Sequence, residues 1–137
     1  MAIAAGVTEV IEVIVPFYLN IRSIILNIDA GELTYRAIAG ATETDPFTPI
    51  STVFPANTRS DAPVHTPEMK LGAGGKITGG VVTNLSRFKT GTNNQRESII
   101  DEAAGLRGTG AGVVHLSLEN TGNSTVPVVI YADWAEL

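Results

Sequence analysis

Residues 112–137 read GVVHLSLENTGNSTVPVVIYADWAEL, and this stretch decides the fold. From position 114 to 119 apolar residues alternate with polar ones, which is the two-residue period of a half-buried strand. A turn-rich loop covers residues 120–125, and the alternation then resumes as far as Trp134. We therefore predict a closing β-hairpin, with Trp134 facing the core and His115 on the outer, polar face, where its side chain is solvated or hydrogen-bonded.

A second hairpin is predicted upstream. The segments SIILNI (residues 23–28) and ELTYRAIA (residues 32–39) both alternate, and they flank the tight connection Asp29-Ala30-Gly31. Gly31 can adopt the positive φ that such a connection requires.

Two other segments can be assigned less simply. Residues 7–15 fit one face of a helix, but their many β-branched side chains favour a strand that ends at Pro16. Residues 94–104 fit either a short helix, capped by Asn93 or Asn94, or a strand around residues 97–100. The sequence leaves both alternatives open at 94–104.

The middle of the chain contains most of its prolines. Residues 46–67, PFTPISTVFPANTRSDAPVHTP, show little periodicity, and proline removes backbone donors and fixes φ. We predict an extended proline-rich loop or arm here. Long segments of this kind inside compact domains are usually functional or lie between subunits.

The composition is typical of a small folded β-protein. The chain has 137 residues, of which 44% are hydrophobic and only 17% charged, with 14 Gly and 7 Pro. Its length indicates one domain over residues 1–137. Short strands separated by Gly, Pro and Asn turns predict an all-β fold, an antiparallel β-sandwich or jelly roll with at most one short helix.

Charge and cysteine content argue against several classes of function. The net charge is −5, and no cluster of Lys and Arg provides the basic surface that nucleic acid requires. The chain has no Cys, so disulfides and thiolate metal sites are excluded. No apolar run predicts a transmembrane helix, and MAIAAGVTEV lacks the basic start of a secretory signal. We expect a protein that binds neither nucleic acid nor membrane.

No motif indicates catalysis, a cofactor or a metal. Residues 72–78, GAGGKIT, lack the earlier glycine of a phosphate-binding loop, and residues 108–112 do not fit the dinucleotide pattern. His65 and His115 have no partner at a metal-ligand spacing. The acidic pairs are more simply explained as turns, caps or solvated edges; they are Asp29/Glu32, Asp101/Glu102 and Asp133/Glu136. We predict that the protein is not an enzyme and has no catalytic, cofactor-binding or metal-binding residues.

Three segments together resemble the small accessory virion proteins of tailed bacteriophages, such as capsid decoration (cement) proteins. They are the start MAIAAGVTEV, the arm FTPISTVFPANTRSDAPVHTP and the terminus LENTGNSTVPVVIYADW. The resemblance lies in overall style and includes no specific motif. It implies a virion protein that assembles as a symmetric homo-oligomer, a trimer being favoured, and that binds the major capsid protein.

The proline-rich arm supplies the candidate partner-binding residues. Its apolar side chains could lie across a neighbouring subunit at little entropic cost, because proline is already restricted. The candidates are Phe47, Ile50, Val53, Phe54 and Arg59. The other explanation of residues 46–67 is an ordinary surface loop packed on its own domain.

Two other functions stay open. One is a carbohydrate- or receptor-binding β-sandwich module, for which Trp134 could stack on a sugar if it were exposed. The other is a small β-fold enzyme or an unassigned cytosolic protein, which would need a concave site with perturbed carboxylates.

Overall fold

A computed structural model describes residues 1–15, 19–28, 31–50, 70–90, 95–100 and 112–136. These residues form an all-β structure. Every strand pair is antiparallel, and no residue in the described ranges is helical. The strands are β1 (Ala2–Ile3), β2 (Thr8–Val15), β3 (Leu19–Ile28), β4 (Gly31–Ala39), β5 (Thr42–Asp45), β6 (Thr48–Ile50), β7 (Lys70–Ala73), β8 (Lys76–Thr78), β9 (Val81–Thr90), β10 (Gln95–Ile100), β11 (Gly112–Asn120) and β12 (Val126–Glu136).

These strands decide between helix and strand in the two segments for which the sequence allows both. The strand predicted over residues 7–15 is confirmed as β2. Residues 95–100 form β10, so the strand alternative is confirmed there; residues 94 and 101–104 lie outside the described ones.

The strands form two large sheets and one small one. The larger sheet has the order β6-β7-β2-β11-β4-β9, the second has the order β1-β12-β3-β10, and β5 pairs with β8 in a separate two-stranded sheet. Both large sheets contribute side chains to one buried core, which makes the structure a β-sandwich. The core residues are Ile11, Val13, Leu33, Tyr35, Ala37, Leu116 and Leu118 from the larger sheet and Ile3, Ile28, Val126 and Val128 from the smaller one.

Both predicted hairpins are wrong, because the strands on either side of each turn belong to different sheets. β11 pairs with β2 and β4, whereas β12 pairs with β1 and β3. Likewise β3 pairs with β10 and β12, and β4 pairs with β9 and β11. Alternation shows that a strand has one buried face, but a short turn can lead either to the next strand of the same sheet or across the core to the facing sheet.

The two connections that lead from one sheet to the other, β3 to β4 and β11 to β12, come close together at Gly31. Its φ is +108°, and a Cβ added there would lie 2.6 Å from Cγ2 of Val126, the first residue of β12. Val126 itself is completely buried. Gly31 therefore serves a close approach of the two crossings rather than a hairpin turn.

The proline-rich segment begins inside the larger sheet. Residues 48–50 form the edge strand β6, in which Thr48 opposes Ala73 and Ile50 opposes Leu71 of β7. Residues 51–69 lie outside the described ones.

Candidate functional site

A buried histidine lies on the outer face of the six-stranded sheet, the face turned away from the core. The register places His115 of β11 between Glu12 of β2 and Ile38 of β4. The predicted position of His115 on the outer face is confirmed, but its side chain is only 3% exposed. The expectation of a solvated side chain is wrong because the outer face is covered at this position, which alternation along one strand cannot reveal.

Phe47 provides the cover. Its ring centroid lies 5.5 Å from that of His115, with 33° between the ring planes. Two glycines make room for it: a Cβ on Gly72 would lie 2.9 Å from Cβ of Phe47, and a Cβ on Gly75 would lie 2.5 Å from its ring atoms. The glycine-rich turn thus forms a socket for an aromatic ring.

His115 and Glu12 face each other beneath this cover. Nε2 of His115 lies 3.5 Å from Oε2 of Glu12, and the Glu12 side chain is only 14% exposed. Neither ring nitrogen of His115 makes a hydrogen bond to any residue that the structure describes. His115 and Glu12 thus form a buried polar pair on the outer face of the sheet.

Phe47 adjoins the small two-stranded sheet of β5 and β8, which we call the lid. In the lid, β5 pairs with β8, and the connection from β5 to β6 contains Phe47. Asp45 and Lys76 form an exposed ion pair across the lid, with Oδ2 and Nζ 3.5 Å apart. The lid strands follow Gly40 and Gly74, whose φ angles are +70° and +79°.

The side chain of Asn120 is a second buried polar group, at the end of β11, where the sequence indicates only a turn. The amide nitrogen Nδ2 of Asn120 donates to the carbonyls of Ile3 and Ser124 at 2.8 and 2.7 Å, and Oδ1 accepts from Gly122 N at 2.9 Å. Asn120 is 1% exposed. It joins the first strand to the loop before β12, so its role is structural.

The same loop borders an open depression of about 430 Å³. It is lined by Gly31, Glu32 and residues 121–124, which include the polar side chains of Thr121, Asn123 and Ser124. Glu32 is engaged in an interaction of its own. Hydroxyl and amide groups around an open depression can hydrogen-bond a polar ligand.

Apolar side chains are exposed along the edge strand β9. Val81 is 68% exposed, Val82 49% and Leu85 48%. On the other side of the sandwich, Val129 of β12 is 46% exposed but belongs to the smaller sheet. Val82 and Leu85 oppose Ile38 and Arg36 and share the outer face of the sheet, whereas Val81 opposes Ala39 on the other face. Exposed apolar neighbours such as Val82 and Leu85 are typical of a surface that another protein covers.

The five predicted partner-binding residues are only partly within the described chain. Phe47 is half-buried on its own sheet, and Ile50 is partly exposed in β6. Val53, Phe54 and Arg59 lie outside the described residues, as do His65 and the side chain of Trp134. The structure does bring together Glu12, Phe47 and His115, which no spacing in the sequence connects. The available signal is Glu12, a charged residue between apolar neighbours in the second half of β2.

Among the described residues, no three His, Asp or Glu side chains lie close enough together to hold a metal ion. In the same part of the chain, no helix is long and apolar enough to cross a membrane. Comparison with protein-family models, with curated proteins and with solved structures finds no match.

Proposed function

We propose that this protein is a virion structural protein, a capsid decoration protein that stabilises the particle of a tailed bacteriophage. It assembles as a symmetric homo-oligomer, a trimer being favoured, and binds the major capsid protein. The resemblance of three segments of its sequence to such proteins supports the viral assignment. The observation that carries the assembly role is the exposed apolar cluster of Val82 and Leu85 on one face of edge strand β9.

A second copy of this chain is the occupant that we propose for this cluster. Edge strands present backbone N–H and C=O groups that another chain can pair with, and monomeric proteins usually protect them with charge, proline or short length. β9 has ten residues, and those from Val81 to Leu85 include no charge. In a trimer the contact is heterologous, so β9 of each copy packs against a different surface of the next.

Light scattering coupled to size exclusion tests the assembly. We expect a trimer for the wild type and a monomer for the double variant Val82→Lys/Leu85→Lys, because two buried cations in the contact cannot be paired. Val129→Lys is the matched control, since Val129 is equally exposed but lies on the other sheet. A monomeric wild type, or a trimer that tolerates the double variant, contradicts the proposed contact.

Mass spectrometry of purified particles tests the viral role. Particles produced by the genome that encodes the chain should contain it in a fixed ratio to the major capsid protein, and adding the protein should raise the temperature at which empty shells disrupt. Absence of the protein from the particles overturns the proposal.

The proline-rich arm is the second contact that we propose. Val53→Ala/Phe54→Ala should weaken binding to shells without lowering the melting temperature, because these side chains are proposed to pack on a partner. Phe47→Ala is unsuitable for this test, since Phe47 packs on its own sheet. Unchanged shell binding by the double variant would favour a surface loop packed on its own domain.

A carbohydrate- or receptor-binding module is the second candidate, favoured by the open depression beside Gly31. It predicts glycan-dependent chemical-shift changes at Thr121, Asn123 and Ser124. Asn123→Ala should abolish them while leaving the fold intact. A glycan screen without such shifts removes this candidate.

A further inference from the structure

We infer that the assembly closes through sheet edges: β9 of each copy lies alongside β10 of the next copy around the threefold axis. The inference rests on the proposed assembly of the chain as a trimer, and it names the surface that β9 meets. β9 is the last strand of the larger sheet, and β10 is the last strand of the smaller one.

These two edges lie on the same side of the sandwich, which we call the open side. β9 pairs with β4, β10 pairs with β3, and β3 and β4 follow each other in the chain. Thr90 opposes Gly31 and Gln95 opposes Ile28, so the end of β9 and the start of β10 are at the same end of the sandwich. The two strands therefore run in opposite directions, in sheets about 10 Å apart.

The other side of the sandwich is protected against pairing with another chain. Its edge strands are β1 and β6, which have only two and three residues, and β6 contains Pro49. Short length and a proline without an N–H are two means by which proteins blunt a sheet edge. In contrast, β9 and β10 have ten and six residues and no proline. Among the described residues, no strand pairs with the free edge of either. This asymmetry points to the open side as the one that another copy covers.

A bulge in β9 gives its free edge an apolar face. Asn84 opposes Ala37 and Val82 opposes Ile38, so Thr83 is an extra residue, and its hydroxyl donates to the carbonyl of Ala37 at 3.3 Å. Because of this extra residue, Val82 and Leu85 lie on one face of the strand although they are three positions apart. The bulge disturbs backbone pairing near Thr83, so side chains make the contact there and the backbone pairs beyond it.

The threefold symmetry decides which residues of β9 and β10 meet. Rotation about an axis along the strands preserves the direction of each strand and its height on the axis. Thr90 and Gln95 are at about the same height, so Arg87, three residues before Thr90, is about level with Ser98, three residues after Gln95. β10 of the next copy thus runs antiparallel to β9, and its apolar end, residues 99–100, is level with Leu85.

This contact leaves no open edge in the trimer. Each copy uses β9 towards one neighbour and β10 towards the other, so the contact is heterologous and closes after three copies. A contact between two β9 strands would be isologous and would give a dimer. A contact between β9 and β6 would continue the larger sheet from copy to copy and would meet the protected edge.

Cysteine cross-linking tests the contact, because the chain has no cysteine of its own. In Arg87→Cys/Ser98→Cys, the two cysteines of one copy lie in facing sheets, too far apart for a disulfide, whereas those of neighbouring copies lie on paired strands. Arg87 is exposed, and cysteine is close to serine in size, so the fold should tolerate both changes. After mild oxidation, a non-reducing denaturing gel should show covalent dimers and trimers that a reductant converts to monomers. Arg87→Cys/Arg96→Cys covers a shift of the register by two residues.

Two controls separate this contact from the other arrangements. Arg87→Cys alone should stay monomeric on the gel, as should Arg87→Cys/Thr48→Cys, in which the second cysteine is exposed on the protected edge β6. Cross-linking of either control overturns the inference. If light scattering shows a trimer and neither Ser98→Cys nor Arg96→Cys cross-links with Arg87→Cys, the inference is wrong and the proposed assembly stands. A monomeric wild type overturns both.

Discussion

Asn120 shows how one side chain can join three segments. Its amide satisfies the carbonyls of Ile3 and Ser124 and the backbone N–H of Gly122, all in a site that is 1% exposed. Asn120→Ala leaves these groups without partners, so we expect the free energy of unfolding to fall by about 2–3 kcal/mol. Urea denaturation measures this. Asn123→Ala, in the exposed part of the same loop, should change stability by less than about 0.5 kcal/mol. Equal effects of the two substitutions would contradict the role given to Asn120.

A substitution at Gly75 tests whether the ring of Phe47 packs against this glycine. Gly75→Ala places a methyl group 2.5 Å from the Phe47 ring and 2.7 Å from the carbonyl oxygen of Asp45, so we expect a loss of about 1–3 kcal/mol. Gly112→Ala is the matched control, because its Cβ would meet nothing within 4 Å. In the Phe47→Ala background, part of the cost of Gly75→Ala should disappear, and a thermal-melt double-mutant cycle measures this coupling. Full additivity would show that the ring does not occupy the socket.

At the scale of elements, the crossing of the chain between sheets can be tested with engineered cysteines, because the chain has none of its own. Ile14 and Val113 oppose each other on β2 and β11 and are 39% and 44% exposed. Ile14→Cys/Val113→Cys should form a disulfide spontaneously, since antiparallel partners lie within the Cα separation that disulfides require. The bridge closes a long loop, so it should raise the unfolding free energy by up to about 4–5 kcal/mol.

The control for this disulfide separates the two topologies. Ser117→Cys/Val129→Cys joins β11 to β12, which lie in different sheets, and should stay reduced, whereas a hairpin closed at residues 120 and 126 would place positions 117 and 129 opposite each other. Thiol titration and the shift in melting temperature on reduction report both outcomes. If the control bridge forms and the Ile14–Val113 bridge does not, the closing hairpin predicted by alternation is right and the crossing is wrong.

The strands themselves could be predicted from the sequence, because each buried face leaves its own period-two pattern. The alternation over residues 114–119 predicts a half-buried strand, and its apolar residues Leu116 and Leu118 are indeed in the core; β2 follows from its β-branched residues. The partners of the strands could not be predicted, since residues 120–125 are compatible with a hairpin and with a crossing alike. The covered His115 was missed for a related reason: burial of the outer face depends on Phe47, which is 68 positions away, and no local pattern encodes that contact.

The molecule as a whole has a core with one unsatisfied polar atom among its described residues. The hydroxyl of Tyr35, a residue 1% exposed and in contact with the core of both sheets, has no hydrogen-bond partner in that part of the chain. Burial raises the pKa of Tyr35 from 10.0 to about 12. The fold therefore retains this proton at pH values where the unfolded chain has lost it.

The consequence is a loss of stability in alkali. Between pH 10 and 12 the native state binds more protons than the unfolded state, so the free energy of unfolding falls as pH rises, by about 2–3 kcal/mol in total. Below pH 10 this contribution is fully present. Tyr35→Phe removes the titrating group, and we expect it to flatten this part of the profile and to stabilise the protein by about 1 kcal/mol at pH 7, because an unpartnered hydroxyl leaves the core. Urea midpoints from pH 7 to 12 measure both effects. Tyr18 and Tyr131 remain in both proteins, so a slope that persists unchanged in Tyr35→Phe would have to arise from them or from general charge repulsion, and it would contradict the role of Tyr35.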